Sequence, residues 1–234
     1  MKYLALATDY DGTIACDGTV DDDTAFALQD ARSAGLSLIL VTGRELADLF
    51  KTFAHAKLFD RIIAENGAVL YDPAEQTIQS LAPPAPPALV SALQRARIPL
   101  SVGHSIVATV IPHEHVVFNA IRDLDLDWHV IFNKEWVMAL PAGVSKATGL
   151  QIALQSMNMT AGQVVGVGDA ENDLAFLGLC GLAVAVENAL PEVRDRADLV
   201  IPEARGAGVR ELIRRLIENE LDVIVPDPQK HVVR

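Results

Sequence analysis

Ala7-Thr8-Asp9-Tyr10-Asp11-Gly12-Thr13 is the stretch on which the reading of this chain turns. It follows an apolar run, Tyr3-Leu4-Ala5-Leu6-Ala7, that reads as a buried strand. Two carboxylates one residue apart then emerge at the strand's carboxyl end, where open α/β sheets place their ligands. Gly12 and Thr13 add a tight turn and a spare hydroxyl. Closely spaced carboxylates that lose hydration repel each other and need a cation or a proton. A nucleophilic carboxylate, a second one to carry the proton and a divalent metal would together make a phosphoryl-transfer site. Solvated turn carboxylates are the plain alternative, and the rest of the chain decides between the two.

Outward from this stretch, short apolar runs alternate with amphipathic ones. A helix is expected over about Asp22–Ala34, ended by Gly35, then a strand over Leu36–Val41. A helix over about Glu45–Ala56 and a third strand at Arg61–Ala64 follow. Later strands read at Gln163–Val167, Leu182–Val186 and Leu199–Ile201, with helical segments between. Continuously apolar, β-branched strands alternating with helices indicate an α/β fold: a Rossmann-like parallel-sheet core with helices on both faces.

The alternation breaks at Leu81-Ala82-Pro83-Pro84-Ala85-Pro86-Pro87, which is too rich in proline to be a core strand. After it come a helix (about Ala88–Ala96), strands near Leu100–Gly103 and Ser105–Ile111, a helix over His113–Leu124, and strands near Trp128–Phe132 and Trp136–Leu140. Pro141-Ala142-Gly143 closes the unit. This αββαββ segment reads as a small cap domain, 82–141, inserted into a core made of 1–81 and 142–220. Residues 221–234 read as an extra strand, a tail or a linker.

The 234 residues are half apolar, enough for a sizeable core. The formal charge of −12 disfavours nucleic acid and anionic membranes as partners. An anionic substrate would then need local positive charge or a metal. Cys16 and Cys180 are too few for a disulfide framework. Neither a signal peptide nor a membrane-spanning run is recognisable, so a cytoplasmic protein, monomeric or weakly dimeric, is expected.

Three further polar clusters sit where a core sheet would present them. Thr42-Gly43-Arg44 follows the second strand and is read as opening a helix, whose free N–H groups attract anions. Ser145-Lys146-Ala147-Thr148-Gly149 opens the helix after the insert, with Ser145 as its cap. Cations are disfavoured at helix starts, so Lys146 implies a nearby anion. Gly168-Asp169-Ala170-Glu171-Asn172-Asp173-Leu174 puts Asp169 at a strand end and Asn172 and Asp173 at a helix start, hard oxygen ligands that suit Mg2+.

The order Asp-x-Asp-Gly-Thr, Thr-Gly-Arg, Lys, Gly-Asp-x-x-Asn-Asp resembles the haloacid dehalogenase superfamily of phosphohydrolases. Glu65-Asn66-Gly67-Ala68 and the position of the insert resemble its Cof-like subfamily IIB, which carries a C2-type cap. The small insert is similar to the caps of archaeal phosphoglycolate phosphatases and some sugar phosphatases. The resemblance implies a Mg2+-dependent phosphatase acting on a small phosphorylated metabolite, such as a sugar phosphate or phosphoglycolate, through an aspartyl-phosphate. By the same resemblance Asp9 is the nucleophile and Asp11 the proton carrier. Asp9, Asp169, Asp173 and the Asp11 backbone carbonyl hold the metal. Thr42, Gly43 and Lys146 bind the phosphoryl group, Asn172 orients Lys146 or the phosphate, and Arg44 is a candidate substrate contact. A phosphomutase of the same superfamily and a phosphate-binding regulatory module of a larger protein are the alternatives.

Other residues take plainer readings. His104, His113, His115 and His129 lie in the insert without zinc-ligand spacing. Asp21-Asp22-Asp23 reads as a helix cap with an acidic first turn, and Trp128 and Trp136 as packing for the insert's sheet.

Overall fold

The structure is a computed structural model, which describes residues 2–227, 229 and 230. The chain runs β1 (Ala5–Thr8), α1 (Asp22–Ser33), β2 (Ser37–Val41), α2 (Leu46–Thr52), β3 (Arg61–Ala64), β4 (Val69–Asp72) and β5 (Thr77–Ser80). It continues through α3 (Pro87–Arg95), β6 (Ser101–Val102), β7 (Val107–Val110), α4 (Glu114–Asp123), β8 (Trp128–Asn133) and β9 (Trp136–Pro141). Then come α5 (Lys146–Ser156), β10 (Val164–Gly168), α6 (Leu174–Leu177), β11 (Leu182–Ala185), α7 (Pro191–Arg196), β12 (Leu199–Val200) and α8 (Arg205–Ile217).

The larger sheet has the order β12-β11-β10-β1-β2-β3-β4-β5, and its first six strands are parallel. Every residue of β1, β10 and β11 is buried, so both faces are covered, as the unbroken apolar runs require. β1 lies in the middle, where the strand order reverses; the crevice at such a point is the usual ligand site of open α/β sheets. Asp21 caps α1 by accepting the Thr24 N–H at 2.7 Å, and Asp22 and Asp23 fill the first turn. Leu28 and Ala31 bury the inner face of that helix.

The smaller sheet is antiparallel, in the order β6-β7-β9-β8. Its elements follow the expected αββαββ succession. Strand alternation splits its side chains between two cores. Val107, Val137 and Ala139 pack with Leu89 and Leu93 of α3 and Val117 and Ile121 of α4. Ile106, Ala108, Met138 and Leu140 face the other way and join the main core.

Several expectations need correction. β4 and β5 form an antiparallel hairpin at the edge of the large sheet that the apolar pattern does not reveal. β5, Thr-Ile-Gln-Ser, is exposed along its whole length and so carries no burial signal. The second helix ends at Thr52 because Phe53 turns extended and buries its ring between Tyr10 and Phe59, 5.4 and 5.9 Å away. Trp128 packs with the small sheet's core, but Trp136 is about half exposed. The tail is not a strand in its described part: residues 220–223 make a 3₁₀ turn that Lys2 reaches through Asp222 and the Ile224 carbonyl. Farther on, the Asp227 N–H donates to Asp198 and Lys230 to the Ala197 carbonyl, so this stretch lies on the core. Pro228 and residues 231–234 of the tail lie outside the described residues. Among the described residues no helix is long and apolar enough to cross a membrane.

Candidate active site

β1 and β10 are parallel neighbours with Thr8 opposite Val167, so Asp9 and Asp169 leave the sheet side by side. The Asp9 N–H continues the ladder to the Val167 carbonyl at 3.0 Å. Carboxylate oxygens of Asp9, Asp169 and Asp173 lie within 4.8 Å of one another, and all three residues are buried. The turn after Asp11 comes this close because Gly12 has φ +88°; a Cβ there would stand 2.4 Å from Asp169 Oδ2. The spare hydroxyl of Thr13 finds its partner here, donating to Asp169 Oδ1 at 3.1 Å.

Lys146 starts α5, capped by Ser145 and Thr148 in a reciprocal capping box. Gly67, at φ +109°, lets the Ser145 carbonyl press against it; a Cβ would sit 2.0 Å from that oxygen. This contact aims Lys146 into the site. Its ammonium is buried and donates to Asp9 at 2.5 Å and to Asp173 at 2.6 Å. The anion expected beside this helix start is thus a pair of carboxylates. The second oxygen of Asp173 accepts the N–H groups of Asp169 and Ala170, which fixes the loop after β10.

Asp11 points elsewhere. Its carboxylate takes a bidentate pair from Arg44, at 2.7 and 2.8 Å, and is part-exposed on the rim. Arg44 also donates to Asp48 at 2.7 Å, so both ends of its fork are engaged. Thr42, Gly43 and Arg44 do not open a helix. They form the turn before α2, where the buried Thr42 hydroxyl accepts the Arg44 N–H at 3.1 Å. Asn172 sits in a 3₁₀ turn ahead of α6, and Lys146 donates to Asp9 and Asp173 instead. Its Nδ2 donates to the Asn66 side chain at 2.9 Å, while its Oδ1 is buried and unpartnered among the described residues.

Two contributions went unread in the sequence. Glu65-Asn66-Gly67, in sequence a mark of the subfamily, ties the two sheets together. Glu65 and Asn66 adopt φ of 50° and 52°, and their N–H groups donate to the carbonyls of Arg44 and Thr42. The buried Glu65 carboxylate accepts the N–H groups of His104, Ser105 and Ile106 at 2.9, 2.8 and 3.1 Å, while Asn66 Nδ2 reaches Met138 Sδ at 3.0 Å. Glu65→Ala leaves buried donors unpaired and is expected to cost about 2–4 kcal/mol of unfolding free energy, measured by urea titration. A loss under about 0.5 kcal/mol would show that water replaces the carboxylate freely.

The second is Lys134, in the two-residue turn between β8 and β9. Its ammonium reaches from the smaller sheet to Asp169 Oδ2 at 2.6 Å, and its backbone N–H donates to Glu171 at 3.2 Å. The one sequence signal was a lysine in a tight turn flanked by tryptophan strands.

Charge at the site is unbalanced. Burial, then repulsion from Asp173, holds the Asp9 carboxyl well above the usual carboxylate pKa, although Lys146 pulls it down. Burial and Asp173 raise Asp169 likewise, against the pull of Lys134. Burial would lower the Lys146 pKa, but Asp173 and Asp9 outweigh it and keep the ammonium protonated. Three buried carboxylates with converging oxygens, short of positive charge, fit a hard divalent cation.

Residues 6–109 and 117–213 match the family model of haloacid dehalogenase-like hydrolases. The chain is 33% identical over 221 residues to the phosphoglycolate phosphatase of Methanothermobacter thermautotrophicus, covering 91% of this chain and 98% of that one. It is 23% identical over 218 residues to phosphoglycolate phosphatase 2 of Saccharolobus solfataricus, covering 92% of each. Among solved structures, a haloacid dehalogenase-like hydrolase from Bacteroides thetaiotaomicron superposes with a TM-score of 0.78 at 18% identity, covering 92% of this chain and 99% of that one. A subclass IIB sugar phosphatase gives 0.73 at 17% identity, covering 91% and 98%. With the family model spanning most of its length, this chain belongs to the haloacid dehalogenase-like hydrolases.

Proposed function

We propose that this chain is a Mg2+-dependent phosphomonoesterase for a small phosphorylated metabolite, with phosphoglycolate the leading candidate. The observation that carries the reading is Lys146, buried between Asp9 and Asp173 with Asp169 alongside. The substrate class draws on relatives that are named phosphoglycolate phosphatases.

In this reading residues 1–81 and 142–220 are the catalytic core and 82–141 the cap. An Asp9 oxygen attacks phosphorus, the ester P–O bond breaks, and the leaving alkoxide takes a proton from Asp11. Asp11 accepts both Arg44 N–H groups in the present arrangement, so proton delivery begins with that pair opening. Asp11 then takes a proton from water as the water attacks phosphorus and releases Asp9. Thr42, the Gly43 N–H and Lys146 bind the phosphoryl oxygens, where charge spreads in the transition state. Asn172, held by Asn66, keeps an unpaired oxygen that would accept from the metal's water or the substrate. Asp9, Asp169 and the Asp11 carbonyl, with Asp173 directly or through water, would hold Mg2+, which supplies Lewis acidity and offsets the carboxylates.

Release of inorganic phosphate from a panel of phosphate esters, with Mg2+ and with chelator, tests the reading. Metal-dependent turnover without sugar-bisphosphate activation is expected; transfer of the phosphoryl group to a sugar, activated by a sugar bisphosphate and with no phosphate release, would point to a mutase, and no turnover at all to a binding module. Asp11→Asn is expected to slow hydrolysis of alkyl phosphates roughly 10²–10⁴-fold. It should slow formation of the aspartyl-phosphate from p-nitrophenyl phosphate far less, because p-nitrophenolate leaves without a proton. Equal slowing of that step for both esters would remove Asp11 from the proton-carrier role.

A further inference from the structure

Among the described residues two lysines pair with the carboxylate cluster and Arg44 stands beside it on Asp11, and the three are not equivalent. Lys146 is enclosed between Asp9 and Asp173. Arg44 is committed to Asp11 and Asp48. Lys134 alone comes from the smaller sheet, is 44% exposed along its side chain, and rests on a carboxylate the metal would need.

We propose that Lys134 is the cap's substrate-selecting cation: it covers Asp169 while the metal is absent, and once Asp169 holds the metal it binds a carboxylate on the substrate. The proposal rests on the phosphomonoesterase reading and narrows the substrate to phosphomonoesters with a carboxylate close to the phosphate.

The geometry carries both halves. The Lys134 ammonium stands over the Asp11–Thr13 turn, 3.0 Å from where a Gly12 Cβ would be, so it lies at the mouth of the site. Its backbone is pinned by the bond to Glu171 and by the pairing of Asn133 with Trp136, while the long side chain is held at its tip by Asp169. A divalent cation on Asp169 competes directly with the ammonium for Oδ2. Displaced, the ammonium faces a cleft whose remaining fixed charges include Asp11 and Glu171, and the whole chain carries −12. An anionic substituent beyond the phosphate would be repelled there without it. A compact ammonium on a flexible stem suits a small carboxylate at variable reach.

Lys134→Met, which keeps the stem and removes the charge, tests both halves. Isothermal titration of the substrate-free protein with Mg2+ should show binding roughly two- to fivefold tighter than in the wild type, the worth of one ion pair whose cation is part-exposed. With Mg2+ saturating, kcat/KM for 2-phosphoglycolate should fall roughly ten- to hundredfold, mostly through KM, the loss of one charge-assisted hydrogen bond. Ethyl phosphate, which lacks the carboxylate, should change less than about threefold. Unchanged or weaker Mg2+ binding, or an equal loss for both esters, would overturn the proposal. Wild-type protein inactive on every ester with Mg2+ would instead sink the phosphomonoesterase reading itself.

Discussion

Asp9→Asn is expected to abolish turnover while leaving the metal-free protein at least as stable as the wild type. Loss of the nucleophile should lower kcat by at least about 10⁴-fold, as for other residues that form covalent intermediates. The stability half follows from electrostatics. Burial and Asp173 already make the Asp9 charge costly, and Lys146 repays it only in part. An asparagine keeps the shape and an acceptor for Lys146, and Asp173 still pairs with that ammonium. Thermal melts in chelator should therefore show no loss. Added Mg2+ should stabilise the variant less than the wild type, since one oxygen ligand of the cluster is gone. A variant that melts well below the wild type in chelator would show that the Asp9–Lys146 pair holds the fold together, and that the cluster is not short of positive charge.

Lys146→Met is expected to have the opposite balance. It removes the ammonium that bridges Asp9 and Asp173 and leaves two buried carboxylates facing each other with Asp169 beside them. Breaking a buried ion pair from one side costs about 3–5 kcal/mol. For a chain of this size that is a fall of roughly 10 °C in Tm. Mg2+ should restore part of the loss, because it supplies the missing charge to the same oxygens, while activity stays down by about 10²-fold or more. Full activity in a folded variant would exclude Lys146 from phosphoryl binding. A melt unchanged in chelator would mean that the carboxylates take up protons at no cost.

The core is readable because its strands are buried on both faces, which leaves unbroken apolar runs such as Leu38–Val41 and Leu182–Val186. Asp9 and Asp169 stand out because each brings a charge within two residues of the end of such a run. What escaped lies where burial leaves no such contrast. β5 is an exposed edge strand held by backbone pairing alone. The bidentate pairing of Arg44 with Asp11 spans 33 residues and leaves no local mark in the sequence. Glu65 and Lys134 work across the two sheets, 39 and 35 residues from partners that no periodicity links to them. A buried glutamate that accepts only backbone N–H groups has no signature in the identities of its partners.

The covalent step offers the most direct test. Asp11→Asn protein, mixed with p-nitrophenyl phosphate and Mg2+ and quenched in acid, should hold phosphoryl on one side chain, because the good leaving group lets the intermediate form while its breakdown is slowed. Borohydride reduction and peptide mass spectrometry should then find homoserine at position 9. Phosphate released at the wild-type rate with position 9 unmodified, or label on another residue, would contradict Asp9 as the phosphoryl acceptor.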